Sequence, residues 1–165
     1  MFTTEKYIRS LQEELQKSSD QLIQQIKETL DFNYDSEIDL LDFTAFAQSF
    51  ELSIVMFSMD GNANEVFYEG DDRSIFAGSH DLLEDIEYYY VPDDKKDEFW
   101  EFYEQNDEEL SKMETQAIVE WFVACWNKAD GESVKLPAYF SFHDYDPCFD
   151  LHQNKWISDG DKWFE

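Results

Sequence analysis

Apolar residues in the first part of the chain follow a helical period. Between residues 4 and 30 they recur every three or four positions, at Ile8, Leu11, Leu15, Leu22, Ile23, Ile26 and Leu30. This spacing puts them on one face and predicts an amphipathic helix over 4–30, with Thr3 or Thr4 as its N-cap. The pattern lapses from Lys17 to Ser19 and covers too few heptads for a coiled coil. We expect the helix to pack on its own domain, with a homodimer contact as the alternative.

A β-hairpin is predicted over 43–69. Aromatic and β-branched residues dominate 43–59, which indicates one long strand or two short ones, and the Asp60–Asn64 segment is a strong turn signal before a further apolar run. Asp60, Asn62 and Asn64 also match the opening spacing of an EF-hand loop. Glu65 stands where such a loop needs glycine, so a plain turn is favoured over a calcium site.

Helical spacing returns over 82–127. Leu82, Leu83 and Ile86 predict a helix that reaches Tyr90 and stops at Val91-Pro92, because the residue before a proline disfavours helical backbone. A second helix is expected from Asp93 or Asp94. A third is expected over about 107–127, where apolar residues recur at helical spacing and Gly131 follows as a terminator.

The carboxy-terminal part predicts a second hairpin over 136–158. LPAYFSFHD alternates as a strand does, and Phe149, Leu151 and Trp156 suggest its partner. The chain contains no repeat and no low-complexity linker. Helix, hairpin, helices and hairpin in this order predict a single α+β domain over 1–165, with an antiparallel sheet of about four strands packed against several helices.

The charge of the chain narrows the classes of partner. Its net charge is −27, from 39 acidic and 12 basic residues, yet 42% hydrophobic and 18% aromatic content argue against disorder. Such a field repels nucleic acid and anionic membranes and attracts basic proteins. The first residues lack a signal-peptide pattern and no apolar run is long enough to span a bilayer, so a cytoplasmic protein is expected. Cys125 and Cys148 are expected to be free thiols.

Acidic and aromatic residues are mixed between Asp81 and Glu109. This segment holds thirteen carboxylates, two lysines and seven aromatic rings. It is either a solvated surface with rings packed inward or a docking face for a basic protein. The candidate partner-binding residues are Asp81, Glu84, Asp85, Glu87, Tyr88, Asp93, Asp94, Asp97, Glu98, Trp100, Glu101, Tyr103 and Glu104.

Catalytic and metal motifs are not evident in the sequence, and no cofactor is expected. The densest set of potential ligands or acid–base groups is His143, Asp144, Asp146 and His152, but their spacing matches no metal motif and Asp-Tyr-Asp-Pro is typical of a turn. Cys125 lies on an apolar helical face, where burial quenches thiol reactivity.

The segments EWFVACWNKADG and LPAYFSFHDYDPCFDLHQNKWI resemble small acidic bacterial proteins that are toxin immunity proteins or uncharacterised. The resemblance covers residues 107–158 as a helix followed by a hairpin. It implies a stoichiometric neutraliser of a cationic toxin or nuclease, with residues 81–109 as the contact face. The glycine-rich motifs of the immunity superfamily typified by yeast cell-wall regulators are not evident.

Two further hypotheses stay open. A nucleic-acid mimic would use the same charge but would need carboxylates in two helical rows at phosphate-like spacing. An enzyme would need His143 and Asp144 to converge with other polar groups in a pocket.

Overall fold

The amino-terminal segment forms two helices instead of one. The computed structural model describes residues 1–48 and 50–163, and in it α1 spans Thr4–Lys17 and α2 spans Ser19–Leu30. Thr3 caps α1, since its hydroxyl accepts the Lys6 N–H at 3.1 Å. The break at Ser18 falls where the apolar period lapses. Both helices bury their apolar faces in their own domain.

The main sheet has six strands in the part of the chain that the structure describes. Their order is β5-β3-β2-β6-β7-β8, and a separate two-stranded sheet pairs β1 with β4. In chain order the strands are β1 (Asn33–Tyr34), β2 (Leu40–Gln48), β3 (Glu51–Met59), β4 (Ile75–Phe76), β5 (Ser79–Glu87), β6 (Ala138–Phe142), β7 (Cys148–Asp150) and β8 (Lys155–Ile157).

The predicted α+β single domain is confirmed, but its sheet differs from the expected one. It has six strands instead of about four, and β2 and β6 run parallel while the other neighbours are antiparallel. The parallel pair follows from the long connection between these strands, which passes through β3, β5 and a helix before the chain returns.

The first hairpin turns earlier than predicted. Its strands are β2 and β3, joined at residues 49–50, and Ser49 lies outside the described residues. The Asp60 turn that was expected to close the hairpin leads only to an isolated bridge between Met59 and Glu65. In the second hairpin β7 pairs with β6, and β8 then pairs with β7.

The prediction of a helix from Leu82 to Tyr90 is wrong, because residues 79–87 form β5. Two steps along β5, from Asp81 to Leu83, oppose one step along β3, so the strand bulges. The bulge lets the adjacent Leu82 and Leu83 both be buried. Adjacent inward-facing leucines break the period-2 pattern of a regular strand and imitate the spacing of a helix.

The two further helices predicted after Pro92 are one. A 3-10 turn at Asp93–Lys95 leads directly into α3 (Lys96–Lys128), whose 33 residues extend over about 50 Å. Neither glycine nor proline interrupts this stretch. The Val91-Pro92 break therefore separates a strand from a helix, not two helices.

The core lies between α3 and one face of the sheet. Phe43 of β2 and Phe140 of β6 pack against Phe122 of α3, with ring centroids 5.5 and 4.3 Å apart. Alternation along β2 and β6 directs Asp42 and Ser141 to the opposite side, which we call the open face of the sheet. A carboxy-terminal 3-10 turn, Asp159–Lys162, lies against this open face.

Candidate functional site

We call the exposed carboxylates of β5, the 3-10 turn and the first half of α3, taken together, the acidic face. On β5, Asp81 pairs with Val55 and Asp85 bonds to Ser53, so these two carboxylates lie on the open face of the sheet, across from α3. The end of β5 and the start of α3 both contact the tip of the β2–β3 hairpin. There the Tyr88 N–H donates to the Phe50 carbonyl at 2.9 Å, and the centroid of the Trp100 ring lies 5.9 Å from that of Phe50. The exposed members are Asp81, Glu84, Asp85, Glu87, Asp93, Asp94, Asp97, Glu98, Glu101 and Glu104.

Phe50 is the centre of an aromatic cluster beneath the acidic face. We call Phe50 and the six rings around it the hairpin-tip cluster. The centroid of Phe50 lies between 5.3 and 6.3 Å from six other rings. These rings belong to Tyr7, Tyr88, Tyr89, Phe99, Trp100 and Tyr103. Aromatic contacts of this density hold the strand end and the helix start in a fixed relation.

The structure separates the predicted aromatic anchors. Tyr88 is 3% exposed and is part of the core, so it is not available to a partner. Tyr103 is half-buried, whereas Trp100 is 47% exposed. Asp97 and Glu104, three residues before and four residues after Trp100, flank it on the same side of α3.

The two lysines of this segment each have an acidic partner. Lys96 lies 2.6 Å from Asp93, and Lys95 lies 3.6 Å from Glu98; all four side chains are exposed. Thirteen carboxylates therefore keep a large negative excess between residues 81 and 109. The acidic residues in the first turn of α3 are also favoured by the helix dipole.

One carboxylate in the second half of α3, Glu114, is half-buried. The Tyr7 hydroxyl donates to Glu114 Oε1 at 2.6 Å. Burial raises the pKa of Glu114, although the hydrogen bond from Tyr7 opposes that shift. Burial also raises the pKa of Tyr7, and the charge of Glu114 adds to the increase. This pair ties α1 to α3 and is structural.

A second polar constellation lies on the open face of the sheet. A shallow pocket of about 370 Å³ there includes Ser141, His143, Asp144 and Lys162 in its lining. Lys162 is 3% exposed, and its ammonium donates to Asp42 Oδ2 at 2.6 Å and to Ser141 Oγ at 3.1 Å. It also pairs with Asp159 at 2.7 Å.

This geometry does not make a Ser–Lys catalytic pair. Burial alone would lower the pKa of Lys162, but the charge of Asp42 and the hydrogen bond with Asp159 outweigh it and raise that pKa. The ammonium therefore stays protonated and has no lone pair to accept the Ser141 proton. The contact fits an ion-pair network that holds the carboxy-terminal turn.

The predicted ligand candidates do not converge. His143 Nε2 lies 3.1 Å from Asp144 Oδ2 in an exposed pair just after β6. His152 instead bonds through Nε2 to the Leu136 carbonyl at 2.9 Å, before β6 begins, so about 20 Å of strand separates the histidines. Asp146 accepts the Asp159 N–H at 2.9 Å. Within residues 1–48 and 50–163, no three His, Cys, Asp or Glu side chains are grouped to hold a metal ion.

The Asp60 turn uses its carboxylate internally. Asp60 Oδ1 accepts the backbone N–H groups of Asn62 and Asn64 at 2.8 and 3.0 Å, and these bonds lower the pKa of Asp60. A plain turn, which the sequence favoured in preference to a calcium loop, accounts for these contacts.

Both cysteines are free thiols, as predicted, and both are buried, Cys148 in β7 and not in a loop. Burial raises the pKa of Cys125, and it raises that of Cys148 to about 11. Neither thiol has the depressed pKa of a nucleophile.

A groove of about 610 Å³ lies away from these residues, between the second half of α3 and β7–β8. Val119, Val123, Phe149 and Trp156 form its apolar part. None of the predicted site residues lines it. Trp156, which the sequence predicted only as a strand residue, is 42% exposed at the edge of the sheet and lines this groove.

No model of a protein family, no curated protein and no solved structure matches the chain. Among the described helices, none has both the length and the apolar character required to cross a membrane.

Proposed function

We propose that this chain is a non-catalytic binding protein that neutralises a basic protein, in the manner of an immunity protein acting on a cationic toxin or nuclease. The observation that carries the proposal is Trp100, a half-exposed ring held by Phe50 and flanked by Asp97 and Glu104. A rigid aromatic ring surrounded by carboxylates is the arrangement expected of a hot-spot anchor with a polar rim.

The charge of the acidic face would act before contact. A net charge of −27 attracts a basic protein that comes within about a Debye length and raises the rate of encounter. Carboxylates from two elements then offer acceptors for arginine and lysine side chains at the contact. A nuclease binds a polyanion through a basic active-site surface, so an acidic face of this kind would compete with its substrate.

The hairpin-tip cluster would make the contact preorganised. Because Trp100 already packs against Phe50 and Tyr103, with centroids 5.9 and 5.8 Å apart, little side-chain freedom remains to be lost on binding. Binding through a surface that is ordered in advance costs less entropy than binding through a mobile tail.

Two features of the structure bear on the alternative functions, a nucleic-acid mimic and an enzyme. Asp81, Glu84, Asp85 and Glu87 lie on a strand, so the carboxylates of the acidic face do not form two helical rows, which favours a neutraliser over a nucleic-acid mimic. For an enzyme, the pocket at His143 brings polar groups together, but its lysine is held charged by two carboxylates.

The test begins with capture of a partner from the native host at low salt and its release at high salt, followed by identification and purification of the captured protein. Its affinity is then measured for the natural chain and for Trp100→Ala. Loss of a hot-spot ring should weaken binding by about 30-fold, equivalent to about 2 kcal/mol.

Charge variants locate the contact. Glu101→Lys should slow association, whereas Glu132→Lys, the same change on an exposed residue beyond the far end of α3, should alter it less than about twofold. The proposal fails if no basic protein is retained at low salt. It also fails if the captured protein binds Trp100→Ala as tightly as the natural chain.

A further inference from the structure

The carboxy-terminal segment 158–163, which we call the strap, is attached to the open face of the sheet by a small polar network. Lys162 reaches Asp42 and Ser141, as described above. At its other end, Asp146 Oδ1 accepts the Asp159 N–H at 2.9 Å and Oδ2 accepts the Ser158 hydroxyl at 3.4 Å. Lys162 is the buried residue of the strap.

Cys148 lies beneath the strap. The β6–β7 register pairs Phe140 with Phe149, and its antiparallel continuation places Cys148 opposite Ser141. Phe140 packs on α3, so alternation directs Ser141 and Cys148 to the open face together. Ser141 bonds to Lys162, and Cys148 has no exposed surface. The ammonium of the strap and the thiol thus share one site on the sheet.

We propose that the strap opens as a unit while the sheet and the helices stay folded, and that it gates access to Cys148 and the polar row of the open face. Opening returns Lys162, Asp42 and Asp159 to water together, so no charge is left buried and unpaired. The helix-facing core is not involved, since its rings lie on the opposite side of the sheet.

The surroundings of the strap support a separate motion. Ser158, Gly160 and Asp161 are exposed, and a methyl group at Gly160 would meet no heavy atom within 4 Å. The ring of Trp163 is half-buried, 4.9 Å from the Lys162 ammonium, and is the large apolar group of the strap. A segment with so few buried apolar contacts opens at lower cost than the core does. The strap follows β8, which ends at Ile157 and stays paired with β7, so the chain would bend after that residue.

The two cysteines make the motion measurable in the intact chain. Cys125 is buried on α3 in the helix layer, whereas Cys148 is buried on the open face. Iodoacetamide reacts with a thiolate that solvent can reach, and the closed state offers neither access nor a low pKa at Cys148. Labelling followed by peptide mapping gives a separate rate for each thiol.

We expect Cys148 to be labelled at least roughly tenfold faster than Cys125, because local opening is more frequent than global unfolding. Lys162→Met, which removes the ammonium and keeps the apolar stem, should raise the Cys148 rate by a further factor of roughly ten. The Cys125 rate should rise by no more than the same factor, because the ammonium stabilises the closed state relative to both the open and the unfolded state. Lys27→Met, at an exposed lysine of the last turn of α2, is the matched control and should change neither rate.

Dependence on denaturant keeps the test decisive if the Lys162 variant folds poorly. In the natural chain, the Cys148 rate should be nearly independent of urea at low concentration, since opening the strap exposes little surface, while the Cys125 rate follows global unfolding. Equal rates for the two cysteines, or an equal urea dependence, would overturn the proposal. So would a Lys162→Met variant that folds and leaves the Cys148 rate unchanged.

Discussion

Phe50 has two opposing effects at the tip of the β2–β3 hairpin, and replacing it by glycine and by alanine separates them. Its backbone has φ of 68°, in the left-handed region that glycine adopts readily and other residues adopt at a cost. Its ring lies at the centre of the hairpin-tip cluster. We expect the packing of the ring to outweigh the backbone cost in the natural protein.

The magnitudes follow from these two terms. Truncating a fully buried phenylalanine to alanine costs about 3–5 kcal/mol, and Phe50 is half-buried, so about 2–3 kcal/mol is expected for Phe50→Ala. Glycine loses the same ring but relieves a left-handed cost of about 1–2 kcal/mol, less roughly 0.5–1 kcal/mol for the greater freedom of glycine when unfolded. Phe50→Gly should therefore be more stable than Phe50→Ala by roughly 0.5–1 kcal/mol.

The assay is urea unfolding followed by circular dichroism, with the midpoint and slope fitted for each variant. Phe57 is the matched control, because it is a half-buried phenylalanine in the body of β3 and is not among the residues with positive φ. There the order should reverse, since glycine inside a strand is less stable than alanine. If Phe50→Ala proves as stable as Phe50→Gly or more so, the left-handed backbone does not carry the cost assigned to it.

Three further predictions concern charge. Burial raises the pKa of Glu114, so its ionisation opposes folding at neutral pH. Glu114→Gln, which can still accept the hydrogen bond from Tyr7, should therefore increase the free energy of unfolding in urea at pH 7. This increase should disappear below about pH 4, where the carboxyl is protonated in both the folded and the unfolded state. A destabilised variant at pH 7 would contradict this. Raising sodium chloride from about 0.01 M to 1 M shortens the Debye length from about 30 Å to 3 Å and should raise the melting temperature, because the net charge of −27 repels itself; a falling temperature would argue against that repulsion. Asp42→Asn should cost about 3 kcal/mol, because it leaves the buried Lys162 with one carboxylate fewer. Adding Lys162→Met should recover part of this loss in urea titrations, whereas strictly additive losses would show that the two residues are not coupled.

Periodic segments were the most predictable from sequence. The apolar faces of α1 and of the second half of α3 follow from spacing alone, because a helix buries residues three and four positions apart. Burial of Cys125 follows from the same pattern. The predicted α+β class also held, since two kinds of period alternate along the chain.

The β5 segment shows where local pattern fails. Leu82, Leu83 and Ile86 fit a helix and a bulged strand equally well, and the choice depends on β3, some thirty residues earlier, which offers Ile54 and Leu52 as pairing partners. Propensity is weak compared with the burial gained by completing a sheet. No local rule supplies that partner.

Composition and local order, taken alone, determined the charge of this protein, its capacity to fold, the positions of most helical faces and the acidic, aromatic character of residues 81–109. Only the tertiary structure decided which rings of that segment face outward, with Tyr88 buried and Trp100 exposed. It also brought Lys162 to Asp42 across 120 residues. The reason is physical: periodicity reports which residues share a face of one element, whereas exposure and ion pairing depend on what other elements place against that face.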